Sequence, residues 1–174
     1  MNKPSFLAVA ASVAVLLVLA VPPGCNRGNA PSKSPAAITG AEPGVWTQDA
    51  DAAFALAAEK GLPILMNFTG SDWCPWCILM EKQVFSTRKW ATWAKEHVVQ
   101  VFIDFPEDKT RVPLAYVARN QRMAQEYGIE GFPTYVVLAA DGKTRLGELG
   151  ASRSATPRQF IADFEKLVAG AAKE

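Results

Sequence analysis

The sequence predicts an α/β domain with a central mixed β-sheet and helices on both faces. Helical and strand-like segments alternate from residue 49 to residue 127, and strands joined through helices lie parallel with right-handed crossovers. Further on, Asp141-Gly142 separates two strand-like runs, and so tight a turn makes the last two strands antiparallel. A third observation marks the working end of the sheet. Cys74 and Cys77 stand where a strand gives way to a helix, the usual layout of a dithiol redox site.

In chain order, residues 1–25 read as an export leader. Lys3 supplies a small positive region, and the stretch from Phe6 to residue 21 is apolar apart from Ser12. That stretch is shorter than the roughly twenty residues of a membrane span, although an uncleaved anchor stays open. Pro22-Pro23-Gly24-Cys25 follows it and resembles a bacterial lipoprotein signal, which implies lipidation of Cys25. Cleavage by an ordinary signal peptidase, with Cys25 a spare thiol, is the alternative. Residues 26–44 carry prolines, glycines and serines with almost no large apolar side chain, and read as a flexible linker.

Residues 45–174 form the predicted domain. The segment 49–60 reads as a helix with an acidic first turn and Gly61 as its stop. Residues 62–68 are a buried strand with Pro63 near its start. The loop 69–72 delivers the dithiol, and a helix follows over 74–85, with Cys77, Val84 and either Met80 or Glu81 on its inner side. Ser86 or Thr87 caps a second helix over 88–97, with Trp90 and Trp93 on one face. Residues 98–104 are a strand and 105–112 a polar loop. The helix 113–127 places Leu114, Val117, Met123 and Tyr127 inward and ends at Gly128. Strands 134–140 and 143–149 flank Asp141-Gly142, whose pattern predicts a type I′ turn. Thr156 caps the last helix, 157–169, with Phe160, Ile161, Phe164, Leu167 and Val168 on one side.

The chemistry follows from the helix end. The free N–H groups of a first helical turn, and the helix dipole, favour negative charge on Cys74. Cys74 is therefore the expected nucleophile and Cys77, one turn inward, the resolving thiol. Pro75 fits the opening helical position, where its missing N–H would have no partner. Trp73 and Trp76 flank the cysteines and suggest an apolar surface for substrate, local packing being the equally simple role. Trp46, Trp90 and Trp93 read as core and helix-packing residues.

Together, residues 62–77 and Gly131-Phe132-Pro133-Thr134 resemble the thioredoxin superfamily, and within it the exported thioredoxin-like proteins of bacteria. The likeness spans residues 45–170. It implies the thioredoxin fold and a thiol–disulfide oxidoreductase. It implies a cis peptide before Pro133, a proline that packs on the dithiol, offers substrate a backbone edge and keeps metal ions out. Trp73 matches the tryptophan that commonly precedes the first cysteine, and Trp73, Trp76, Phe132 and Pro133 are the expected substrate contacts. The chain departs from the family at Asn67, which stands where thioredoxins carry a buried aspartate, and in a loop before Cys74 one residue longer. Glu81 is a candidate acid–base partner for Cys77, although a solvated surface charge is the commoner role for such a residue.

With 49% hydrophobic residues, 20% charged residues and a net charge of +1, the chain is ordinary for a globular protein. That balance offers no basic surplus for nucleic acid. Its 3 cysteines sort into Cys25 in the leader and the Cys74–Cys77 pair. A lone His97 adds too little for a four-ligand zinc site, so no metal and no cofactor is expected. The expected setting is periplasmic, membrane-anchored through Cys25, with protein thiols and disulfides as substrates and a membrane-bound redox partner for a monomer. A non-catalytic binding module and a metal-handling dithiol protein are the rival classes.

Overall fold

In the computed structural model the chain is described over residues 36–171. The leader, Cys25 and linker residues 26–35 lie outside the described residues. Residues 36–44 belong to the expected linker and are tied to the domain: Ala37 N donates to Trp46 O at 2.9 Å, and Gln48 N to Ala37 O at 2.8 Å.

The elements alternate as the patterning predicts. Strand β1 (Trp46–Thr47) leads into helix α1 (Ala50–Lys60), then β2 (Ile64–Thr69), α2 (Pro75–Met80) and α3 (Arg88–His97). After β3 (Val99–Asp104) and α4 (Leu114–Glu126) come β4 (Thr134–Leu138), β5 (Arg145–Gly150) and α5 (Pro157–Ala171). Local chemistry sets the boundaries. Asp49 Oδ1 accepts from Ala52 N at 3.1 Å at the start of α1, and Gly61 closes it with φ 65°. Thr87 caps α3, and Thr156 Oγ1 accepts from Gln159 N at 3.2 Å before α5.

The sheet has 5 strands in the order β1-β3-β2-β4-β5. Strands β1, β3 and β2 are parallel, and β2–β4 and β4–β5 are antiparallel. This is the mixed sheet of the thioredoxin fold. Strand alternation splits the core in two. Ile64, Met66 and Phe68 face α1 and α4, with Ala53, Ala57 and Met123. Leu65, Tyr135 and Val137 face α2, α3 and α5, against Met80, Trp90 and Phe160. The second half is rich in edge-to-face rings, with Phe85 touching Trp46, Trp90 and Phe160. Such pairs add roughly 0.5–1.5 kcal/mol each beyond burial.

Four details differ from the sequence expectation. Strand β1 has only 2 residues, too few for any period to show. The helix after Cys74 changes to a π-helical turn over Glu81–Phe85, with Ser86 N donating to Glu81 O at 2.8 Å. That widening lets Met80, Val84 and Phe85 all be buried. On α4 the first apolar residues point outward: Leu114 is 90% exposed, while Asn120 and Met123 are buried. The Asn120 amide donates to Asp104 O at 3.2 Å from the buried face of this helix. The last turn is wider than type I′, since Gly142 has positive φ but Asp141 does not. The Asp141 carboxylate instead accepts from Lys143 N and Thr144 N, both at 2.9 Å.

Candidate redox site

Cys74 is the N-cap of α2 and Cys77 lies within its first turn, with Pro75 between them at the opening helical position. The two are joined as a disulfide with Cα atoms 5.2 Å apart. Cys77 N donates to Cys74 Sγ at 3.2 Å, so the helix end turns a free N–H onto the first sulfur. Phe132 O lies 3.6 Å from the same sulfur, and the Phe132–Pro133 peptide is cis. The backbone before β4 is thereby held against Cys74. Both cysteines are buried, at 4% and 5% exposure, so accessibility does not tell them apart. Position on the helix does.

A loop precedes Cys74, and its anchors lie far away in sequence. Cys74 N donates to Gly70 O at 2.9 Å. Ser71 gives both its N–H (3.0 Å) and its hydroxyl (2.6 Å) to Asp104 at the end of β3. Asp72 accepts from Glu107 N at 3.0 Å and Asp108 N at 2.9 Å, with Arg111 Nε at 3.7 Å. Trp73 Nε1 donates to Phe105 O at 2.8 Å. Residues 71–73 are therefore fastened to residues 104–108. The two carboxylates differ in setting. Burial pushes the Asp104 carboxyl above the usual range, against the Ser71 bonds. The Asp108 amide, and behind it that of Glu107, holds Asp72 below that range.

Trp73 and Phe132 meet edge to face at 6.0 Å, and Phe105 stacks on Phe132 at 5.1 Å. Trp73 and Trp76 remain 43% and 39% exposed. Trp73, Phe132, Pro133 and the cysteines are thus brought together. Trp76 takes a different neighbour: the Arg153 guanidinium, from the loop between β5 and α5, stands 5.4 Å from its ring centroid. Asn67 is buried on the α2 face of the sheet, and its Oδ1 has no partner among the described residues. Glu81 accepts from Ser86 Oγ at 2.8 Å across the π-helical turn. Sequence reasoning missed Gly70, Asp104, Phe105 and Arg153. An acid closing the apolar run of β3 was the one available signal.

Such a sheet, with a dithiol at the first turn of a helix and a cis proline beside it, defines a protein of the thioredoxin class. The family model for a thioredoxin-like domain matches residues 50–165, and the chain belongs to that family. Among curated proteins it is similar to the disulfide bond reductase DsbH of Chlamydia pneumoniae, 39% identical over 88 residues, which are 51% of this chain and 52% of the relative. The match spans about half of that relative's length. A solved DsbH oxidoreductase is 28% identical, with TM-score 0.65 over 79% of this chain and 90% of that one. A thioredoxin from Thermus thermophilus is 25% identical, with TM-score 0.52 over 74% and 92%.

Proposed function

We propose that this protein is an extracytoplasmic thiol–disulfide oxidoreductase that reduces protein disulfides through Cys74 and Cys77. The placement of Cys74 Sγ carries this reading, 3.2 Å from the Cys77 N–H at a helix end and 3.6 Å from the Phe132 carbonyl. The likeness to a protein named as a disulfide bond reductase supports the direction.

In the reduced protein the Cys74 thiolate attacks one sulfur of a substrate disulfide. A mixed disulfide forms, and the other substrate sulfur leaves as a thiolate and takes a proton from solvent. Cys77 then loses its proton and attacks Cys74 Sγ, which frees the second substrate thiol. Two electrons have passed to the substrate, and the protein holds the Cys74–Cys77 disulfide, the state of this structure. Trp73, Trp76, Phe132 and Pro133 form the substrate face. The Phe132 carbonyl offers an extended segment a backbone partner.

The leader ending at Cys25 is the ground for the setting: export, a lipid on Cys25, a linker to stand the domain off the membrane, and a membrane-bound partner that returns the dithiol. Among the described residues no helix is long and apolar enough to cross a membrane.

Equilibration of the Cys74–Cys77 pair against glutathione tests the reading. A midpoint near about −270 mV marks a reductant. One near about −120 mV overturns the direction and leaves exchange intact. No defined midpoint overturns the whole reading.

A further inference from the structure

We infer that Arg153 is a specificity-determining residue, which favours substrate disulfides in segments carrying a carboxylate beside the cystine. This rests on the oxidoreductase reading and adds the substrate class.

Trp76 sits between the two cysteines with its ring half open to solvent. Arg153, exposed on the loop between β5 and α5, extends its guanidinium to 5.4 Å from that ring. A flat indole favours a cation over its face, which keeps the charge near the dithiol. Two acids close in sequence to this pair are engaged elsewhere. Glu148, on β5, pairs with Arg145, and Asp72, before Trp73, is held by two backbone amides and Arg111. Ser152 and Ser154, on either side, hydrogen-bond to each other at 3.2 Å. Among the described residues Arg153 joins no salt bridge. The substrate face is therefore apolar at Trp73, Trp76 and Phe132, with a cation at Trp76 that has no ion-pair partner among the described residues. A peptide threaded over Trp76 meets that charge within a few residues of its cystine. An aspartate or glutamate there gains a partner, and a lysine is repelled.

The test uses full-length reduced protein and three disulfide-linked peptides that differ only in the residue flanking the cystine: Asp, Ser or Lys. The quantity read is the ratio of kcat/KM for the Asp peptide to that for the Lys peptide. At low salt the ratio is expected to be about threefold, as for an exposed ion pair, and to fall towards one at high salt. R153K keeps the preference, R153Q removes it and R153E reverses it. A ratio that is the same in R153Q and R153E as in the natural protein overturns the inference, because a merely packing arginine would leave it so. So does a ratio of one in the natural protein when the Ser peptide is reduced. If the Ser peptide is not reduced at all, the oxidoreductase reading fails and this inference falls with it.

Discussion

The ring of Trp73 lies across Gly70 so closely that a Cβ there would come within 2.6 Å of Nε1. Gly70 is the floor on which the first aromatic of the site rests. Gly70→Ala forces the indole off that floor and strains its bond to Phe105 O. The expected result is a loss of about 1–3 kcal/mol, as for overpacking, together with slower exchange. Denaturant unfolding and a disulfide-reduction assay check both. An unshifted Trp73 indole N–H resonance in the variant would contradict the account.

The order of the two cysteines is tested separately. Cys74→Ser is expected to bring exchange to background, because the sulfur at the helix end is gone. Cys77→Ser should leave Cys74 able to attack but unable to be released, so mixed disulfides accumulate. Non-reducing gels and intact mass read the trapped species. The reverse pattern would exchange the two roles.

Asp72 gives a pH signature. Its carboxyl is held below the ordinary value of 3.8, first by the Asp108 amide. A depressed acid stabilises the folded state above its unfolded value, and that contribution is lost as pH falls through the folded value. The amide resonances of Glu107 and Asp108 should therefore titrate together with a midpoint below 3.8. Asp72→Ala should remove that titration and speed proteolysis of the 105–113 loop at neutral pH. Loop amides that titrate as before in the variant would count against the fastening.

Deep in the aromatic half of the core, Trp90 Nε1 donates to Gln100 Oε1 at 2.8 Å, and Gln100 Nε2 has no partner among the described residues. Trp90→Phe would leave the whole amide unpaired in an apolar setting. The expected cost is about 1–3 kcal/mol for the orphaned group, plus a small cavity. Adding Gln100→Leu should recover part of it, which a double-mutant cycle in urea reads directly. No recovery would mean that the lost ring volume, not the hydrogen bond, sets the cost.

Much of this was legible beforehand, for local reasons. Asp49, Thr87, Thr156 and Gly61 announce helix ends within a few residues of where they act. The helical connection between the first long strands fixed their parallel pairing, and the strand-to-helix junction placed Cys74, whereas Pro133 beside the dithiol was implied only by the family resemblance. The misses share a cause. Leu114 and Val117 fit an inward apolar stripe, but the helix buries Asn120 instead, whose amide donates to Asp104 in another element. Asp141 reads as half of a tight turn until its own carboxylate gathers the next amides. Ser71, Asp72 and Trp73 meet partners more than thirty residues away, and Arg153 meets Trp76 from a separate loop. No period or spacing encodes contacts of that kind.

The π-helical turn over Glu81–Phe85 has a meaning for how this chain can change. An α-helix advances each residue by a fixed rotation, so one added residue would swing everything beyond it out of phase. A single wide turn absorbs that residue as slack. Here it leaves Cys77 seated at the redox end and Phe85 among its rings. The helix thus works as an expansion joint, a place where the chain can gain or lose length while both of its fixed ends hold.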